Sequence, residues 1–283
     1  MLILFMMLLG FFSVRGVLPL LAQLFRRQGI IKENYRREPI PAALGLVFPL
    51  TMPLLFLVQL GYDFFYSTSG LSRGEFYAFL FLTTGFGLLG LADDLLKNDA
   101  EKGFRQHLRA LSAGELTSGG LKALFGFTFS LVFGIGVRLT TGQSWMLLPA
   151  VLVAALAPNI VNLFDLRPGR AGKFFLAAMV LLMIKSYLSK GLNPTLLLGA
   201  PVLGGVAAYL PTDLKGRAML GDTGANFLGG VFGGLVVLDG DPVFTVLTLV
   251  LFLLLQLAAE KVSFTKLIEN NRLLKILDNM GRD

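Results

Sequence analysis

The chain has 283 residues, 54% hydrophobic and 15% charged, against about 25% charged residues in soluble domains. That balance excludes an ordinary soluble domain and points to one polytopic membrane unit, in which 33 glycines suit closely packed helices. The net charge of +7 then reads as basic loops on one membrane face, not as a nucleic-acid surface, and the lack of cysteine removes disulfides, thiolate metal sites and cysteine nucleophiles.

Apolar runs follow one another along the chain at about 2–25, 42–60, 75–96, 120–138, 145–164, 174–188, 194–210, 223–238 and 242–260. They are continuous and lack period-two alternation, so they read as helices. The first has no basic leader and no small-residue cleavage site, so it reads as a retained span. The run 174–188 is short for a ~30 Å hydrocarbon core, which asks for ~17 residues or more. The expected fold is all-α: a polytopic helix bundle of about nine transmembrane helices. Residues 1–262 are expected to form a single transmembrane domain. Residues 263–283 form a cytoplasmic amphipathic helix, with Phe264, Leu267, Ile268, Leu274 and Leu277 at roughly helical spacing.

The loops sort by charge. Loops 26–41, 97–119, 165–173 and 211–222 and the tail after 260 hold most of the lysines and arginines, whereas the intervening loops hold few. This places the N-terminus outside and the C-terminus in the cytoplasm.

Acids and amides inside or beside the spans are few, and they cluster. In "GLLGLADDLLKND", residues 87–99, Asp93 and Asp94 end a long uncharged run, and Lys97 follows one turn on. In "APNIVNLFDLRPGRAGK", residues 157–173, Asn159, Asn162 and Asp165 make one polar stripe that ends at Pro168-Gly169. Arg167, Arg170 and Lys173 follow. In "AMLGDTGANFLGGVFGG", residues 218–234, Asp222 sits between glycines in a turn that opens a span, where backbone N–H groups face anions. Gly229, Gly230, Gly233 and Gly234 read as a helix-packing face. All three clusters fall on the cytoplasmic side of a topology derived from lysine and arginine counts alone. Acids, amides and cations at a membrane surface suit a lipid-tailed phosphate ester meeting an anionic cytosolic substrate. A hard divalent cation on Asp and Asn oxygens would offset their repulsion.

With these residues in view, the chain resembles the polyprenyl-phosphate N-acetylhexosamine-1-phosphate transferase superfamily, which includes MraY-, WecA- and TagO-like enzymes. The matching stretches are "DDLLK", "NIVNLFD" and "GDTGANFLG", in family order, and "REPIPAALG" (37–45) is similar to the family's first cytoplasmic loop. The resemblance implies a Mg²⁺-dependent enzyme (Mn²⁺ as the alternative) of the bacterial inner membrane, with its active site on the cytoplasmic side. It would move a sugar 1-phosphate from a UDP-sugar to undecaprenyl phosphate, releasing UMP, for cell-wall glycan synthesis such as peptidoglycan. By the same resemblance Asp222 and Asn162 hold the metal, Asp93 deprotonates or orients the lipid phosphate, and Asp94 supports it. Asp165 and Lys97 would contact substrate, with Asn159, Gly221 and Gly224 of the same motifs beside them, and Arg170 and Lys173 are expected to supply cationic contacts that the family draws from a motif missing here. Where the family continues past Asp165 as Asp-Gly-x-Asp-Gly, this chain has "LRPGRAGK", with Pro168 at the second acid. It also lacks the family's His- or Arg-rich motif before the last span. Two other readings are a non-catalytic relative that binds polyprenyl phosphate and recruits partners, and a transporter or flippase. The packing glycines are compatible with a homodimer.

Overall fold

The architecture comes from a computed structural model that describes residues 1–66, 70–96, 118–138 and 142–282. Nine long helices run through them: α1 (Leu2–Arg27), α2 (Val47–Tyr66), α3 (Arg73–Leu96), α4 (Ser118–Arg138), α5 (Leu147–Phe164), α6 (Arg170–Lys190), α7 (Pro194–Leu214), α8 (Gly221–Asp239) and α9 (Pro242–Lys261). Two short helices follow, α10 (Phe264–Asn270) and α11 (Arg272–Asn279). Eight helices among the described residues are long and apolar enough to cross a membrane. The ninth, α8, is 19 residues long and diluted by glycine, Asp222 and Asn226. The chain is a multi-pass membrane protein, as its composition predicts.

The short apolar run at 174–188 belongs to a helix of 21 residues. Arg170, Lys173 and Lys190 interrupt the apolar pattern without interrupting the helix, because long basic side chains carry their charge out of the span ends.

Helix α8 is the axis of the bundle. Its side chains from Thr223 to Val237 are buried apart from the partly buried Phe232. Two offset glycine pairs explain the tight packing. A Cβ on Gly229 would lie 2.3 Å from Pro158 Cα, and one on Gly233 would lie 2.8 Å from Ala157 Cβ, so this pair seats α5. A Cβ on Gly230 would lie 3.0 Å from Phe86, and one on Gly234 would lie 2.8 Å from Phe79, so the second pair seats α3. With no hydrophobic drive between helices in lipid, such close backbone approach is what holds them together. The glycines singled out from sequence are packing residues. Helix α1 packs on α7 in the same manner, through Gly10 against Pro201 and Gly204 against Met7.

The helix ends meet in two layers. At one end Arg138 is 1% exposed and donates to Gln143 Oε1 (2.8 Å) and the Val237 carbonyl (3.0 Å). There the enclosed Asp239 carboxylate takes the Ser186 hydroxyl and pairs with Lys185. A buried charge needs such partners, and this network pins α4, α6 and α8 together. The other end collects the functional candidates. It also carries two short strands, β1 (Ile31–Glu33) and β2 (Pro39–Pro41), paired antiparallel. The sequence reading treats this hairpin as plain loop, since three-residue strands are too short to show a period.

Candidate active site

The hairpin is anchored by Asn34, which is 8% exposed. Its side-chain oxygen accepts the N–H groups of Arg36 (2.8 Å) and Glu38 (3.0 Å), and its amide donates to the Gly216 carbonyl (2.9 Å). Past β2, the Leu44 and Gly45 N–H groups donate to the carbonyls of Met219 (2.8 Å) and Leu220 (3.1 Å). A Cβ on Gly45 would fall 2.5 Å from Gly224 Cα. The stretch "REPIPAALG" thus straps the turn before α8 from outside. Gly224, expected to touch substrate, is committed to this packing.

The two acids at the end of α3 have different surroundings. Asp94 faces the start of α8 and accepts the N–H groups of Asp222 (3.2 Å) and Thr223 (2.9 Å) and the Thr223 hydroxyl (2.7 Å). It is a helix cap supplied by a neighbouring helix, satisfying first-turn donors that have no partner within α8. Gly221, at φ 70°, lies beneath it, and a Cβ there would come 2.7 Å from Asp94 Oδ2. Asp93 points to the other side. Its Oδ2 pairs with Lys122 Nζ at 3.2 Å, and Asp222 Oδ1 pairs with the same ammonium at 3.5 Å. Two carboxylates from separate helices therefore converge on one cation.

Lys122 does not stand out in the sequence, where it falls inside the apolar run that begins at 120. A lysine one turn inside an apolar run was the signal to heed. A second omission is Asn226, fully buried one turn after Asp222 on α8, whose Oδ1 accepts from Asn162 Nδ2 at 2.7 Å. This bond commits the Asn162 nitrogen to α8, so the amide oxygen is the atom that could serve a cation. Asn159, one turn earlier on α5, instead donates to Gln256 Oε1 on α9 at 2.7 Å. The polar stripe thus divides, with Asn162 directed to α8 and Asn159 to α9.

Asp165 ends α5 and lines a cavity of about 290 Å³. The cavity is lined by Lys32, Asn34 and Tyr35 of the hairpin, by Asp165–Pro168, by Asp213, Gly216 and Ala218–Gly221, and by Asp94. Asp213, a third omission, is buried, and its carboxylate accepts the Gly169 N–H at 2.9 Å, fixing the turn after Asp165. Burial pushes the Asp165 carboxyl up to about 8. Asp213, Asp222 and Asp94 act in the same direction, and the Gly221 backbone opposes them.

A carboxyl whose folded pKa exceeds its unfolded value of 3.8 takes up a proton on folding. Its contribution to stability is therefore full below about pH 4 and is lost as pH rises toward 8. In divalent-free buffer the thermal midpoint is expected to fall across that window. Asp165→Asn should flatten the fall and raise the pH 8 midpoint by roughly 3–6 °C, the equivalent of ~1–2 kcal/mol once the open cavity's solvent screening is allowed for. Parallel slopes in parent and variant would contradict the assignment.

Arg170 and Lys173, expected to meet substrate, are engaged elsewhere. Arg170 is 5% exposed and donates Nε and Nη2 to the two oxygens of Asp278 at 2.8 Å each. Lys173 Nζ donates to the carbonyls of Leu277 (2.9 Å) and Met280 (3.2 Å). Burial works against ionised Asp278, but Arg170 and Arg282 hold its carboxyl far below the ordinary range. Both cations serve the C-terminal segment because a fixed carboxylate and a row of helix-end carbonyls stand within their reach. Lys97 lies outside the described residues.

Among the described residues no three acids sit close enough to cage a metal. The donor set suits Mg²⁺ nonetheless, which is usually held by one or two carboxylates together with water and substrate phosphate. Asp93 and Asp222 already close on a cationic group, and Asn162 offers a neutral oxygen.

Comparison with known proteins identifies the family. The profile of glycosyl transferase family 4 matches residues 76–239, from α3 to the end of α8. The phospho-N-acetylmuramoyl-pentapeptide-transferase of Acetivibrio thermocellus is 25% identical over 224 residues, covering 75% of this chain and 63% of that protein. Enzymes of the same name from Kosmotoga olearia and Symbiobacterium thermophilum are each 26% identical. They cover 83% and 78% of this chain, and 71% and 68% of their own length. The chain thus spans about two thirds of the length of the relatives it matches.

Proposed function

The chain belongs to glycosyl transferase family 4, and on that premise we propose that it is a phosphoglycosyltransferase moving a sugar 1-phosphate from a UDP-sugar to undecaprenyl phosphate at the cytoplasmic face of a bacterial inner membrane. The observation that carries the reading is the convergence of Asp93 and Asp222 on Lys122 at one end of a membrane bundle. An oxygen of the lipid phosphate attacks the phosphorus next to the sugar, the bridging P–O bond breaks, and UMP leaves with that oxygen. A divalent cation, when bound, offsets the repulsion between the two phosphates. Asp222 and the Asn162 oxygen would hold it. Asp93 orients the lipid phosphate and accepts its proton, and Lys122 balances the charge of both acids. Asp94 positions the start of α8 through its three hydrogen bonds. The cavity beside Asp165 receives the nucleotide end of the donor, with the exposed Tyr35 ring at its wall. Water competes poorly if both substrates are held in line, and positioning supplies much of the rate.

The test is purified protein in lipid discs with undecaprenyl phosphate, Mg²⁺ and a panel of UDP-sugars. UMP release with at least one donor, stopped by EDTA, is expected. Release that persists in EDTA would remove the metal from the reading.

A second reading is a relative that binds polyprenyl phosphate without turnover. Pro168 in place of an acid, and the commitment of Arg170 and Lys173 to the tail, favour it. Tight lipid-phosphate binding with no UMP release from any donor would select it. A transporter fits less well, since coupling acids belong near the bilayer midplane, whereas Asp93 and Asp222 sit at helix ends.

A further inference from the structure

We infer that helix α11 lies on the membrane leaflet at the site's end of the bundle, its apolar face in lipid, and clasps the loop that walls the candidate cavity. The helix has three sectors. Leu273, Ile276 and Leu277 share one side at i, i+3 and i+4 spacing and are 67%, 55% and 50% exposed, and Met280, just past the helix end, is 59% exposed. Leu274 and Asp278, four apart, are half-buried against the bundle. Arg272, Lys275 and Asn279 form an exposed polar third side.

The inner sector is firmly held. Asp278 receives two hydrogen bonds from Arg170 and two more, at 2.9 Å each, from Arg282. Arg282 Nε donates to the Pro168 carbonyl at 2.6 Å. Lys173 caps the helix's last carbonyls, and Arg170 Nη1 reaches Thr265 Oγ1 of α10 at 3.1 Å. Arg167 and Pro168 line the cavity, so the clasp and the cavity share a loop.

Lipid is the occupant that suits the apolar sector. Just two residues, Val262 and Ser263, separate α10 from the span α9, whose Leu253, Leu254 and Leu257 are exposed on the bundle's outer surface. Val262 and Leu267 are themselves 45% and 44% exposed, and they extend that apolar surface from the span into the tail. Lys261 and Lys266 flank it with positive charge, the complement of anionic headgroups. The polar sectors are already assigned to the loop and to water, which leaves the apolar sector to the leaflet.

The experiment uses the full chain in discs whose phosphatidylglycerol carries brominated acyl chains. Trp145, the one tryptophan of the sequence, is replaced by Phe, and a reporter is introduced as Ile276→Trp or, separately, Lys275→Trp. Bromine quenching of at least half the emission is expected for Ile276→Trp and little for Lys275→Trp. Leu273→Trp repeats the apolar reading if the first variant does not fold. Equal, weak quenching on both sides would overturn the proposal. So would a blue-shifted but unquenched reporter that appears only with two chains per disc, which would assign the face to a second copy. A separate arm rests on the proposed transfer. Asp278→Ala should raise the KM for the UDP-sugar roughly 5–10-fold, leave kcat within about twofold, and leave the quenching of Ile276→Trp unchanged. An unchanged KM would mean that the helix rests on lipid without acting on the cavity.

Discussion

Asp222→Ala is expected to lower UMP release by at least about 10³-fold while leaving the bundle folded. A single preorganised electrostatic group at a reacting centre is worth ~10²–10³ in rate, and Asp222 is read as such a group and as a metal ligand at once. Its carboxylate opposes Asp93 across Lys122, so removing it leaves Asp93 alone with the ammonium and takes away half of the charge that would attract a divalent cation. The fold does not depend on that carboxylate. What secures the start of α8 is the Asp222 backbone N–H and the two Thr223 donors, all bonded to Asp94, and alanine keeps them. The side chain is 14% exposed at the edge of the bundle, so no cavity opens in the core. The thermal midpoint should therefore move by a few degrees at most, the equivalent of ~1 kcal/mol. Activity and midpoint are read on the same disc preparation. Turnover within tenfold of the parent in a folded variant would end the assignment of Asp222.

The same residues show what a sequence can disclose about such a protein. The spans were legible because each is a continuous apolar stretch that ends in charge. The nine expected runs correspond to the nine long helices, with boundaries within about six residues. Asp93, Asn162 and Asp222 stood out because a polar side chain beside hydrocarbon is costly and calls for a reason. The structure brings α3, α5 and α8 together around them. Division of labour between neighbours was not legible. Asp93 and Asp94 are adjacent in sequence yet point to different partners, because the ~100° turn per residue of α3 sends one toward α4 and the other toward α8. Which partner each meets depends on helix packing some 30 residues away in one case and about 130 in the other. Arg170 and Lys173 followed the same logic. Next to the motif they read as substrate contacts, but the tail over 100 residues later has the stronger claim, its Asp278 carboxylate on Arg170 and its backbone carbonyls on Lys173. Lys122 was hidden because one charge at the edge of a span looks like ordinary topology.

Gly90→Val is expected to cost both the fold and the activity, and the two losses share a cause. A Cβ on Gly90 would lie 2.3 Å from the Asp222 carbonyl oxygen and 2.7 Å from Thr223 Cα. Both are backbone atoms of the first turn of α8, so no side-chain rotation relieves the clash. Helices α3 and α8 must part by more than 1 Å, and valine asks for more than alanine. Overpacking of this kind costs ~1–3 kcal/mol and sometimes more. Gly90 is also one turn before Asp93 and Asp94 on the same side of α3, so the displacement moves the acids away from their partners. The Asp94 bonds to the α8 donors would stretch beyond useful length, at ~1.5–3 kcal/mol for each bond to a charged group. A drop of 10 °C or more in thermal midpoint is expected, with UMP release lost in whatever fraction folds. Gly16→Ala is the control, since a Cβ there meets nothing within 4 Å, and it should leave midpoint and activity unchanged. If Gly90→Val folded with a parental midpoint, the close α3–α8 contact would not exist in the membrane. The convergence of Asp93 and Asp222 would then fail with it, because the glycine that lets these two helices touch also sets the distance between their acids.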